Sequence, residues 1–180
     1  MANLPRPYDI NDPHEMFRLY RELYGYMKVS LHDGTDLTGR RHALDALRDL
    51  RRKAENNAAK QAKDAIESVK LSSLVDFEFE VVNEIERVLR EDGFDVIREK
   101  KIGPRSRIDL YLPQYRIGIE VKKGKPNTKI VAAQLERYAF SSDINALILV
   151  SERGLHRHLS DAHGKQIHYV SLAGNWGLTV

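Results

Sequence analysis

The sequence predicts an α/β domain with a mixed sheet, preceded by a helical region, and three observations carry that prediction. Upstream of residue 72 apolar residues recur only at helical spacing. From about residue 76 the texture changes, and helical and alternating runs follow one another in the order α-β-β-β-α-β-α-β. Within that order RIDLYLPQYRIGIEVKKGK, residues 107–125, reads as a hairpin of two alternating strands around a Pro-bearing turn. The expected division is a helical region over 1–72, read as an arm or helical hairpin, and an α/β domain over 73–180.

Each element has its own signal. HEMFRLYRELYGYMKVSL, residues 14–31, places Met16, Phe17, Tyr20, Leu23, Tyr24 and Met27 on one helical face, where packing is the expected use of the aromatics. HDGTDLTG, residues 32–39, is a turn by composition. A second helix is expected from about Arg41 to Val69, with a thin apolar stripe of Leu44, Leu47, Leu50, Ala54, Ala58, Ala62, Ile66 and Val69. So little apolar surface motivates a partner helix from a second copy, hence a homodimer. The next helix runs to Leu89 and stops at Gly93, a suitable C-terminal cap. FDVIREKKI then reads as a strand, TKIVAAQLERYAF as a helix and NALILVS as a buried strand. GLHRHLSDAHG, residues 154–164, carries a short helix by this reading, before the strand IHYVSL.

Composition narrows the class. The 180 residues include no cysteine, so disulfides and thiolate metal sites are excluded. MANLPRPYDINDPHE carries prolines and acids where a signal peptide needs an apolar run, and no later run approaches membrane-spanning length. The expectation is a soluble, cytoplasmic protein with no membrane partner. Net charge is only +3, but its distribution is uneven: Arg98 to Lys129 holds ten basic residues against the acids Glu99, Asp109 and Glu120. A basic region around the hairpin points toward nucleic acid, while a solvated charged face is the plain alternative.

The hairpin carries the chemistry. Alternation puts Ile108, Leu110 and Leu112 on one side of the first strand and Arg107, Asp109 and Tyr111 on the other. In the second strand Ile117, Ile119 and Val121 take the core side, opposite Gly118, Glu120 and Lys122. For the faces to agree, paired residues must have numbers summing to 229, with a loop over Pro113 to Arg116. Asp109 then stands beside Glu120. Like charges at such positions repel, and a divalent cation compensates them: hard carboxylate oxygens suit Mg²⁺, with Mn²⁺ as the substitute. Lys122, two residues along, can meet a phosphate or an attacking water, so the triplet suits phosphodiester cleavage.

Ile108-Asp109 and Glu120-Val121-Lys122, set in a helix, three strands, helix and strand, resemble the PD-(D/E)xK nuclease superfamily over about residues 76–151. The resemblance implies a restriction-endonuclease-like core and a Mg²⁺-dependent deoxyribonuclease, read as an endonuclease. It implies Asp109, Glu120 and the Val121 carbonyl as metal ligands and Lys122 as the group positioning water. QLERY matches a Q-x-x-x-Y pattern of one branch, which implies roles for Gln134 in catalysis and Tyr138 in nucleic-acid contact. Many members add an acid on the first helix; Glu78 falls within the apolar stripe here, one turn earlier than is usual, with a frayed first turn as its plain alternative. Arg105, Arg107, Lys123 and Lys125 are the expected backbone contacts with DNA. His156, His158 and His163 do not share one helical face and are not read as a metal site. Two rival readings stand beside this one: a non-catalytic nucleic-acid-binding module on the same fold, and a helical assembly protein with an incidental hairpin. Neither the pathway nor the choice among DNA structures, or between DNA and RNA, follows from the residues.

Overall fold

The computed structural model describes residues 8–9, 11–30, 37–70, 78–124, 127–152 and 161–173. By its contacts the chain divides into two compact units, residues 1–58 and 59–180. The division falls within a helix, upstream of the boundary expected at residue 72.

The first unit is helical. Helix α1 (Pro13–Ser30) starts where the sequence permits: the Asp12 side chain accepts a hydrogen bond from the His14 amide at 2.8 Å, and Pro13 takes the first position, where no amide is needed. Helix α2 (Leu37–Glu67) is continuous, so Leu37 to Gly39 are helical rather than part of a turn; residues 32–36 lie outside the described residues. Along the apolar stripe of α2, Ala54 and Ala58 of the first unit, and Ala59, Ala62, Ile66 and the following Val69 of the second, are each 1% exposed or less, while Leu44 is exposed.

The second unit is an α/β structure with a six-stranded mixed sheet. Helix α3 (Glu78–Glu91) buries Val81, Ile85 and Leu89. It ends at Gly93, whose φ of 89° lets the Phe94 amide reach back to the Leu89 carbonyl at 3.0 Å. Strands β1 (Ile97–Gly103), β2 (Ser106–Leu112) and β3 (Ile117–Lys122) follow, then α4 (Thr128–Ala139), β4 (Ala146–Ser151), β5 (Asp161–Ala162) and β6 (Lys165–Ser171). The sheet order is β1-β2-β3-β4-β6-β5, with β3, β4 and β6 parallel and the other neighbours antiparallel. All of β4 and most of β3 are buried, as parallel strands covered on both faces must be. Helix α4 begins at Asn127, whose side-chain oxygen accepts from the Lys129 and Ile130 amides.

Leu110, Tyr111 and Leu112 pair with Ile119, Gly118 and Ile117, the 229 register, and the turn between them spans 113–116. One detail of the alternation fails. Ile108 shares a buried cluster with Tyr111 and lies against Gly118, where an added Cβ would stand 2.3 Å from Ile108 Cδ1. Strict alternation would put Ile108 and Tyr111 on opposite faces. The interruption falls at Asp109, whose carboxylate, rather than a backbone carbonyl, accepts the Val121 amide at 2.8 Å. A short helix is expected within 154–164, of which residues 154–160 lie outside the described residues; Asp161 and Ala162 form β5, and His163 (φ 52°) and Gly164 (φ 71°) make a two-residue hairpin turn into β6. Among the described residues no helix is long and apolar enough to cross a membrane.

Candidate functional site

The site forms where β2 and β3 part at Asp109, at the C-terminal end of β3. Glu120 sits in the aliphatic run of β3 and is 2% exposed. Its Oε1 accepts from Lys122 Nζ and from Gln134 Nε2, the latter at 2.6 Å; its Oε2 is buried with no hydrogen-bond partner. Burial, with the neighbouring Asp109 charge added, pushes the Glu120 carboxyl up to about 7. Asp109 is raised too, chiefly by burial and in part by Glu78 and Glu99, against the opposing pull of the Val121 amide and Lys122. At Lys122 burial disfavours the ammonium, but the hydrogen bond and charge of Glu120 outweigh it and the pKa rises. The outcome is two carboxylates that resist ionising together beside a lysine that stays charged.

Helix α4 secures this arrangement. Gln134 and Tyr138 are one turn apart and share a face. The Gln134 amide nitrogen that donates to Glu120 also donates to the Tyr138 hydroxyl, which itself donates to the Arg107 carbonyl at 2.6 Å. Tyr138 is 2% exposed, and burial raises its hydroxyl to about 12. A phenol so placed is a neutral strut between α4 and β2. The expected contact of Tyr138 with nucleic acid does not hold in this arrangement, because its hydroxyl is engaged inside the protein.

The other expected residues fall into three groups. Glu78, on the first turn of α3, is itself exposed but lines a pocket with Val121, Lys122 and Lys123, and its charge acts on Asp109 and Lys122. Arg105 and Arg107 are exposed on the β1–β2 hairpin. Lys125 lies outside the described residues, as do His156 and His158; His163 is in the β5–β6 turn. Val121 lines the pocket, and its amide is the donor to Asp109.

Two residues escaped the sequence reading. Glu152, just past β4, lines the same pocket, and its carboxylate accepts the Gly124 amide at 2.6 Å, tying down the chain as it leaves β3. The signal was available: β3 and β4 are parallel neighbours, and sites gather at the carboxyl ends of such strands. Glu99 on β1 stands at the register position facing Asp109, between the pairs Arg98–Leu110 and Lys100–Ile108.

The unpartnered Glu120 Oε2 tests whether these residues suit a divalent cation. A buried acid oxygen with no donor is rare and calls for a ligand or a proton. With Asp109 beside it, the donor set is hard oxygen, which suits Mg²⁺ or Mn²⁺. Among the described residues no group of three His, Asp or Glu side chains converges, so Glu78 does not complete a three-acid cluster. The protein donors are then two carboxylates, a number that Mg²⁺ commonly accepts while keeping its water. Comparison with known proteins gives no match: no family model, no curated protein and no solved structure matches this chain.

Proposed function

We propose that the protein is a metal-dependent DNA nuclease that hydrolyses phosphodiester bonds, with a restriction-endonuclease-like arrangement of α3, β1, β2, β3, α4 and β4. One observation carries the reading: a carboxylate in the middle of an aliphatic strand, buried, beside a second acid and a lysine, with one oxygen unsatisfied. A structural ion pair needs no second acid, and an apolar core needs none of the three.

In this reading Asp109 and Glu120 hold Mg²⁺ or Mn²⁺, which when bound supplies charge neutralisation at the phosphate and a more acidic water. Lys122 meets the charge that develops on the phosphate oxygens or orients the attacking water, and burial strengthens its effect. Gln134 fixes the rotamer of Glu120, and Tyr138 fixes Gln134. Arg105, Arg107 and Lys123 bring cationic charge to the sugar-phosphate backbone. Glu78 lines the pocket, where its negative charge favours the Lys122 ammonium.

The test is cleavage of linear, circular, single-stranded and branched DNA with Mg²⁺ or Mn²⁺ by the full chain. Metal-supported nicking or cutting that EDTA abolishes, and that Asp109→Ala and Lys122→Ala remove, is the expected result. Cleavage that survives EDTA, or survives either substitution in a preparation free of contaminating nuclease, overturns the reading.

A further inference from the structure

Two residues along β2 from Asp109, the hairpin carries a second like-charged pair, this time of cations. Lys101 on β1 and Arg107 on β2 are directly opposite one another in the antiparallel register, and both are exposed. Directly opposed residues share a face of the sheet, and like charges so placed are unfavourable. Lys101 has no ion-pair partner among the described residues. Arg107 has one: its Nη1 donates to Glu99 Oε2 at 3.1 Å, with both side chains more than half exposed. Exposed pairs of this kind contribute little to stability and exchange readily with solvent or a competing anion.

The surroundings suit a phosphate. The Arg107 backbone is pinned, since its carbonyl accepts the Tyr138 hydroxyl, so the guanidinium starts from a fixed point. Arg107 and Asp109 are two residues apart on one strand, about 7 Å between their backbones at the usual strand rise. Exposed Arg105 occupies the turn beside the pair, and Arg98 is already committed to Glu86 on α3. The exposed side chains of this hairpin include no aromatic ring. Proteins that hold single strands stack bases on such rings, whereas this surface offers mainly charge, with Ile97 its one exposed large apolar side chain.

We infer that Lys101 and Arg107 form a clamp for a backbone phosphate of duplex DNA next to the bond being cut, with Glu99 as the counter-ion that Arg107 gives up when the phosphate arrives. This rests on the nuclease reading for its placement beside a scissile bond, though not for its chemistry. Glu99 thus keeps two cations from repelling one another in the free protein, and it makes binding an exchange of one anion for another.

Salt titrations of duplex binding test the clamp, using a blunt 20-base-pair duplex in EDTA and the full-length Asp109→Ala protein as parent. Arg107→Ala and Lys101→Ala should each lower the slope of log affinity against log salt by up to about 0.9. Glu99→Gln should tighten binding by about threefold, the value of one unit charge about 7 Å away in water. Glu91→Gln, which removes the same charge from the far end of α3, should tighten it less. In the Arg107→Ala background the gain from Glu99→Gln should shrink to that of Glu91→Gln. Unchanged slopes for Lys101→Ala and Arg107→Ala overturn the clamp, and so does a Glu99→Gln gain that persists without Arg107. If metal-dependent cleavage by the otherwise native protein survives those failures, the nuclease reading stands while the clamp falls. Normal slope losses without any cleavage by the native chain give the reverse. No duplex binding at all overturns both.

Discussion

The outer face of α3 and the inner strand β3 use the same residue type in opposite ways. On α3, Glu84 meets Arg87, and Glu86 meets both Arg90 and Arg98 across to β1. Hydrogen bonding by Arg87 lowers the Glu84 pKa, and at Glu86 the burial that would raise it is outweighed by the two arginines. On β3, Glu120 also has a basic partner, yet burial and Asp109 win and its carboxyl is raised to about 7. A salt bridge is therefore not what separates a surface acid from a site acid. The difference lies in whether the environment can support the charge without help. α3 solves its electrostatics within the protein; β3 leaves an oxygen unsatisfied.

The largest contrast is expected in activity. Asp109→Ala and Lys122→Ala should each lower cleavage by at least about 10²- to 10³-fold, the scale of losing one group that stabilises a transition state. Arg87→Ala, which removes the partner of Glu84 and Glu91 on α3, should leave turnover unchanged in the same assay. Combining Asp109→Ala with Lys122→Ala should cost little more than either alone, since groups acting as a unit are strongly non-additive.

The support from α4 should count for less. Gln134→Ala removes a donor to Glu120 and should reduce cleavage by about 10- to 100-fold, as is typical for partners that orient ligands. Its melting temperature should move little. Tyr138→Phe leaves the Arg107 carbonyl without that donor and should cost about 1–2 kcal/mol of stability in urea unfolding, with a smaller loss of rate than Gln134→Ala. Wild-type turnover by Gln134→Ala would reduce α4 to a packing element.

A third contrast is in the pH dependence of stability. The folded pKa of Glu120 is raised above its unfolded value near 4.5, so the folded state binds more protons between about pH 4.5 and 7. Stability therefore falls as pH rises through that window, and the fall is complete above about 7. Glu84 and Glu86 have lowered pKa values, and their smaller, solvent-screened contributions are lost in the other direction, as pH falls below the usual carboxylate range. In metal-free buffer the native protein should lose on the order of 1–3 kcal/mol between pH 5 and pH 8 from this one acid. Glu120→Gln should flatten that part of the profile, whereas Glu84→Gln should leave it in place.

Much of this contrast is legible in the order of the residues. Alternating aliphatics on both sides of Pro113 define the register that brings Asp109 beside Glu120, because a slip of one residue would turn the apolar set outward. Gly93 marks the end of α3 since few other residues accept its φ. What escaped depends on contacts distant in sequence. The burial of the Tyr138 hydroxyl requires β2 to arrive under α4, and QLERY alone leaves an ordinary amphipathic helix as a competing reading. Glu152 follows a plain apolar strand, and only the parallel pairing of β3 with β4 carries it to the pocket. Ile108 left its expected face because Asp109 takes the Val121 amide, an exchange of side chain for backbone that a period-2 pattern cannot show. The strand at Asp161–Ala162 is only two residues long and owes its pairing to the turn at His163 and Gly164.

The most direct measurement is thermal unfolding of the native chain with Mn²⁺ or Mg²⁺ against EDTA, at pH 6 and pH 8, alongside Glu120→Gln and Asp109→Ala. A ligand that binds only the folded state stabilises it according to its concentration over Kd, and one that needs the ionised carboxylate does so more strongly above its pKa. Millimolar metal should raise the melting temperature of the native chain, more at pH 8 than at pH 6, and neither variant should respond. A native chain indifferent to both metals at pH 8, or a Glu120→Gln variant stabilised as much as the native one, would contradict the claim that Glu120 and Asp109 form a metal site.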